Sequence, residues 1–265
     1  MLLTDDLAHR LEQAAVAWGR AWMDGIAGVD LGDFAPHVLA PRHPGRPDLD
    51  FQNRVNGLTP ADAALVPEIV AWYADRGVRP WFELVPGDDA GGLLAALAAA
   101  GAVAIGFHGV VHGPLPGPRR SSPTPPVESP GVDVQVVDPT DDDAFATFCR
   151  TRIEGHELPP EIVDQAAADA TLYLATVDGR AAATAALTVD PGTGVAYLAD
   201  GATRPAFRGR GLQSLLIERR LLDAAAAGAE VAFSQASFAS TSHRNLQRAG
   251  LVGGFTKLVL RVAGR

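Results

Sequence analysis

A chain of 265 residues, 47% apolar and 20% charged, is long enough for two modest domains and too hydrophobic to be disordered. Its net charge of −9, with 9 basic against 15 acidic residues over 1–130 and 13 against 16 over 131–265, excludes general nucleic-acid binding, which needs a dominant basic surface. One cysteine, Cys149, excludes an internal disulfide framework, and no apolar run approaches the roughly 20 residues that cross a bilayer.

The chain opens without the basic start and apolar stretch of a secretory signal, so the expected setting is cytoplasmic, with no membrane partner. Leu7, Leu11, Trp18 and Trp22 then mark an amphipathic helix. After a proline-rich irregular stretch, residues 51–57 read as extended, 60–76 as a helix, 80–85 as a strand, 92–100 as a helix and 102–112 as a strand. Between Pro114 and Pro130 stand seven prolines, a composition that suits a semi-rigid spacer and no central strand. The expected organisation is therefore a domain over 1–112, a linker over 113–131 and a second domain over 132–265.

In the second domain Val132, Val134 and Val136 alternate as a strand. The run Thr140-Asp141-Asp142-Asp143 caps a helix carrying Phe145, Phe148 and Cys149 on one side, and 159–170 reads as another helix. Residues 171–177 and 180–190 form a hairpin about Asp178-Gly179. A strand at 194–203, a helix at 212–227, a strand at 230–236, a short helix at 242–249 and a strand at 251–262 complete the order. The fold class is α/β, a mixed sheet flanked by helices. The β-α-β-α-β series of the first half matches the tail of the second at an offset of about 149, with Leu97–Gly101 opposite Leu246–Gly250, which points to an internal duplication.

The most informative segment is Thr203-Arg204-Pro205-Ala206-Phe207-Arg208-Gly209-Arg210-Gly211-Leu212-Gln213, between a predicted strand and a predicted helix. Amides at a helix start lack intrahelical acceptors and carry partial positive charge. No Ser, Thr, Asp or Asn stands at 206–212 to cap them, so they are left for an anion, with glycines allowing close approach and arginines adding charge. Arg219 and Arg220, further along, read as a solvated helix face. In the first half Thr59-Pro60-Ala61-Asp62 stands at the matching helix start. There a capping threonine and an acid close the site that the second half leaves open. A Walker loop is excluded because the sole lysine, Lys257, follows no such glycine run. His108 and His112, four apart along a strand, are separated by roughly 13 Å and read as ordinary strand residues, so no metal is expected.

The stretch Arg208-Gly209-Arg210-Gly211-Leu212-Gln213 resembles the pyrophosphate loop of GNAT-superfamily N-acetyltransferases, [Q/R]-x-x-G-x-[G/A]. Arg208 and Gly211 match, while Gln213 replaces the final small residue. The resemblance runs over about 132–262 in element order, and the first half is similar in element order only, as a degenerate copy. It implies acetyl-CoA as cosubstrate and direct attack on the thioester by an amine of a small molecule or peptide, in a monomer or homodimer. The alternative is a non-catalytic acyl-CoA sensor or scaffold. It also implies that Gly201, Ala202 and Thr203 pair through their backbone with the pantetheine arm, with a bulge at Gly201. Arg208, Gly209, Arg210, Gly211, Leu212 and Gln213 would then hold the pyrophosphate, and Asn245 would contact the cosubstrate. Asp200 falls where family members often carry an acid and is the leading base. Glu154, His156 and Glu157 lie in the region that shapes the acceptor pocket. The family's leaving-group tyrosine falls on Leu246, which leaves His243, Ser242 or water to protonate the thiolate.

Overall fold

The computed structural model describes residues 2–87, 91–115, 131–159, 170–190 and 192–264. The expected helix at 159–170 and most of the expected linker lie outside the described residues. The chain divides into two compact units, Leu2–Val110 with Gly254–Arg265, and Val111–Gly253. The last strand therefore groups with the first half rather than with the domain that precedes it in sequence.

The unit Leu2–Val110 with Gly254–Arg265 begins with α1 (Asp5–Asp24), whose start is capped by the Thr4 hydroxyl accepting from the Leu7 amide. Two short strands, β1 (Asp30–Leu31) and β2 (Pro41–Arg42), pair antiparallel and were not foreseen. The stretch read as extended over 51–57 is a 3-10 turn at Asp50–Asn53 followed by β3 (Arg54–Val55). The helix read over 60–76 splits into a 3-10 segment, Pro60–Leu65, and α2 (Val66–Ala74), with Pro67 at the junction. A proline amide cannot donate into a preceding turn, so the α-helix restarts there. β4 (Trp81–Leu84), α3 (Leu93–Ala99), β5 (Ala102–Pro114) and β11 (Val252–Val262) complete this part, β5 crossing the division after Val110. β3 runs parallel to β4, and β4 pairs antiparallel with β11 over Trp81–Leu84 and Leu258–Arg261. Val55, Ile69, Tyr73, Phe82 and Leu97 fill the core.

The unit Val111–Gly253 holds β6 (Val132–Val137), α4 (Asp142–His156), β7 (Thr171–Val177), β8 (Arg180–Asp190), β9 (Val195–Thr203), α5 (Leu212–Ala226), β10 (Val231–Ser237) and α6 (Thr241–Arg248). Strands β6 to β9 follow one another antiparallel, and β10 joins β9 in parallel. Both α4 and α5 pack on β8 and β9. Accordingly Ala182, Ala183, Ala185 and Ala186 of β8 are buried as a run, without the alternation of a strand wetted on one face. Helix α4 approaches β9 closely: a Cβ on Gly155 would lie 2.8 Å from the Ala202 Cβ.

Candidate active site

Two irregularities of β9 build the site. The first is where it leaves β10. The parallel pairing covers Val195↔Val231, Ala196↔Ala232 and Tyr197↔Phe233 and then ends. The Tyr197 and Phe233 rings stack at 4.5 Å on the last rung, and the Ser234 hydroxyl donates to the Leu198 carbonyl at 2.7 Å. Beyond this point the two strands no longer pair, which leaves an edge of β9 without a β10 partner.

The second irregularity is a bulge against β8. Thr184 pairs with Ala202 and Ala186 with Ala199, so Asp200 and Gly201 together oppose Ala185. Asp200 has φ 52°, a left-handed conformation in which aspartate is tolerated better than bulkier residues. The bulge separates backbone groups that an unbroken ladder would pair, and α5 supplies their partners. Gln213 Nε2 donates to the carbonyls of Ala202 at 2.8 Å and Thr184 at 3.3 Å and to the Thr203 hydroxyl at 3.1 Å. Two helical turns later Arg220 donates through Nη1 to the carbonyls of Ala199 at 2.9 Å and Ala186 at 3.1 Å. Arg220 is therefore buried at 2% exposure rather than solvated as the sequence suggested. Burial lowers its pKa to about 10, opposed by the phenols of Tyr173 and Tyr197 and by the Asp200 carboxylate. Gln213 stands where the motif has a small residue because it fills the bulge.

The loop after β9 contains a 3-10 turn at Pro205–Phe207, anchored by the buried Phe207 ring, with the Arg210 guanidinium 5.5 Å from the ring centroid. Gly209 and Gly211 both have φ 78°, and a Cβ on either would meet nothing within 4 Å. Gly211 is the N-cap of α5 and no side chain caps the helix. The amides that follow are thus free of a side-chain cap, and the space above the two glycines is open, which suits an anion. Leu212 contributes only its backbone, because its side chain belongs to the core. Arg208 is held within the chain: its Nε donates to the Thr203 carbonyl at 3.2 Å, its Nη2 to the Gly155 carbonyl at 3.1 Å, and its Nη1 meets Glu157 at 3.2 Å. Of the three β9 residues expected to pair with the pantetheine arm, Ala202 and Thr203 thus have carbonyls already engaged.

The C-terminal turn of α4 brings the acidic candidates to β9. Asp200 accepts from Arg152 Nη1 at 3.2 Å and lies 3.1 Å from His156 Nε2. Burial pushes the Asp200 pKa up, but the Arg152 guanidinium and His156 outweigh it and hold it at about 2. A carboxylate that acidic is a poor proton acceptor, which counts against Asp200 as the base. Glu154 binds Arg204 Nε at 2.6 Å, so it and Glu157 serve loop arginines rather than an open acidic surface. His243 lies on α6, buried, its ring 5.6 Å from that of Phe238. Asn245 accepts from Arg248 Nη1 at 2.9 Å, and Leu246 is core. Cys149 is buried in α4.

Residues 142–248 match the model of the Acetyltransferase (GNAT) family. The chain carries a GNAT acetyltransferase domain. No curated protein sequence matches this chain. Among solved structures it resembles a GCN5-related N-acetyltransferase from Kribbella flavida, with 20% identity, 96% of each chain covered and a TM-score of 0.61. It also resembles a tandem GNAT protein from the clavulanic acid biosynthesis pathway, with 15% identity, coverage of 99% of this chain and 96% of that one, and a TM-score of 0.59. A third is a GCN5-related N-acetyltransferase from Sphaerobacter thermophilus, at 14% identity, 98% and 94% coverage and a TM-score of 0.57. The coverage extends far beyond 142–248, so the tandem GNAT-like fold expected from the sequence is borne out. The GNAT domain is the half with the uncapped helix. In the other half Asp62 accepts from the Thr59 amide at 2.8 Å and the Thr59 hydroxyl at 2.7 Å, and pairs with His37 at 2.9 Å. Thr59 and Asp62 thus form a capping box there. Among the described residues no cluster of three His, Cys, Asp or Glu is placed to hold a metal, and no helix is long and apolar enough to cross a membrane.

Proposed function

We propose that the GNAT domain binds acetyl-CoA on the 203–213 loop and transfers the acetyl group to an amine of a small molecule or peptide by direct attack. The observation that carries this reading is the coincidence of an unpaired β9 edge with an uncapped α5 start at the end of the same strand. Acetyl-CoA, when bound, supplies the thioester that the amine attacks. The chain's own part is to hold, orient and move a proton. The amides after Gly211 hold the pyrophosphate, and Arg208 exchanges Glu157 for it, because a diphosphate offers more charge than one exposed carboxylate. The edge of β9 beside the bulge aligns the arm, and an amide on that edge faces the developing oxyanion.

For proton removal we assign His156. Asp200 holds its Nε2, fixing the ring and leaving Nδ1 for the amine or an intervening water. This arrangement makes Asp200 a positioning residue and retains His243 as a donor to the leaving thiolate only if its buried ring is reached. A thiol of pKa about 8.5 needs little such help. A second reading, an acyl-CoA sensor without turnover, is favoured by Leu246, a core residue at the position where the family carries a tyrosine. Calorimetry with acetyl-CoA tests binding, with one site per chain expected. Release of free thiol across a panel of amines separates the two readings: binding with no turnover for any amine would leave the sensor.

A further inference from the structure

The unit Leu2–Val110 with Gly254–Arg265 has a strand pair of its own that ends early. β3 pairs with β4 only at Arg54↔Trp81 and Val55↔Phe82. Beyond these rungs, Gly57–Pro60 and Leu84–Gly87 form two walls of a cavity of about 540 Å³. That volume falls in the range of small-ligand sites, roughly 300–1,000 Å³. The apolar lining includes Leu58, Leu84, Leu93, Phe107 and Leu258, and the charged groups come from α1, Asp5 and Glu12, beside His9 and Gln13.

Two features decide what the cavity can take. Its anion end is closed, because the Asp62 carboxylate already occupies the matching helix start. Among the described residues no arginine or lysine lines it, whereas two carboxylates do. Glu12 is 3% exposed and accepts from the Gly57 amide at 3.1 Å through Oε1. Its Oε2 is held by Lys257 Nζ in a buried ion pair. A buried carboxylate therefore borders the apolar cavity. Glu83 also meets Lys257, at 3.5 Å, so two carboxylates share this one ammonium.

We propose that this cavity is a second ligand site, one that binds small amphipathic amines, with the apolar body against the leucines and Phe107 and the protonated amine toward Asp5 and Glu12. It makes no use of acetyl-CoA, so it stands or falls independently of the transfer reaction.

The test is calorimetry of the full chain with n-hexylamine, n-octylamine, n-octanol and octanoate, in the absence of acetyl-CoA. Octylamine should bind saturably at one site per chain, at least tenfold tighter than octanol, with octanoate weaker still. Each methylene from hexylamine to octylamine should tighten binding about fourfold. Phe107 is 66% exposed, so Phe107→Lys should fold, as its melting curve will report. It should weaken octylamine at least tenfold and strengthen octanoate. Asp5→Asn, at an exposed position, should narrow the preference for octylamine over octanol. Equal affinity for octylamine and octanoate in the unaltered chain would overturn the proposal. So would the lack of saturable amine binding, or octylamine affinity unchanged in both variants.

Discussion

Replacing Asp200 by asparagine keeps the side chain's shape and removes its charge. The partner left behind, Arg152, is 4% exposed as a side chain and Asp200 itself 14%, so solvent screens the pair little. Asp200 is held from an ordinary 3.8 down to about 2, which at 1.36 kcal/mol per unit corresponds to about 2 kcal/mol of stability. The expected loss at pH 7 is therefore about 2 kcal/mol. With a urea slope of roughly 1–3 kcal/mol per molar, the midpoint should fall by about 1–2 M with no change of slope. The pH dependence has a definite sign. A depressed carboxyl pKa contributes stability above the unfolded value of 3.8, and that stability is lost as pH falls through about 2. The gap between the two proteins should therefore be full at pH 6–7, smaller at pH 3 and smaller again towards pH 2. Urea titrations at pH 7, 5 and 3 measure it. Equal midpoints at pH 7, or a gap that does not shrink at pH 3, would refute the account of Asp200 as an ionised partner of a buried arginine.

Arg208→Glu places a carboxylate beside the pyrophosphate position and should weaken acetyl-CoA binding at least tenfold, as calorimetry will measure; an unchanged dissociation constant would move the ligand elsewhere. His156→Gln should lower turnover by about 10²–10⁴-fold, with acetyl-CoA affinity retained. Asp200→Asn should lower turnover by a smaller factor, as steady-state rates will measure, whereas a rate equal to wild type would disconnect Asp200 from the imidazole. Arg220→Met leaves the Ala186 and Ala199 carbonyls without their side-chain donor and should destabilise by about 2–5 kcal/mol in urea, without changing the number of acetyl-CoA sites.

The open helix start was legible because its signal is local: two glycines and the lack of a capping side chain are read from adjacent residues. The same holds for the closed counterpart at Thr59 and Asp62, and for the bulge, where Gly201 marked the break although Asp200 takes the positive φ. What was not legible depends on distant partners. Nothing near Arg220 in sequence announces that a bulge on another strand will expose carbonyls to it. The one available hint was Gln213 seven residues earlier on the same helix face. Asp200 looked like a base because its pairing with Arg152 and His156 spans more than forty positions. The pairing of Glu154 and Glu157 with Arg204 and Arg208 likewise spans some fifty positions. The last strand, too, carries no local sign that it will group with the first half.

The pairing of Gln213 and Arg220 with the bulge turns α5 into a gauge. Seven residues at 1.5 Å separate them by about 10.5 Å of helix axis, and both ends are fastened to backbone carbonyls of β8 and β9. The helix that begins at the uncapped start is thus locked in position against β9. Neither can slide without breaking hydrogen bonds at the other. On the proposed reading, the span from phosphate to acyl group is fixed before any ligand arrives, so a thioester on a shorter arm seats its anion or its acyl group but not both. A displacement of about 1 Å, from a change as far from the phosphates as Arg220, is enough to cost on the order of a hundredfold in rate.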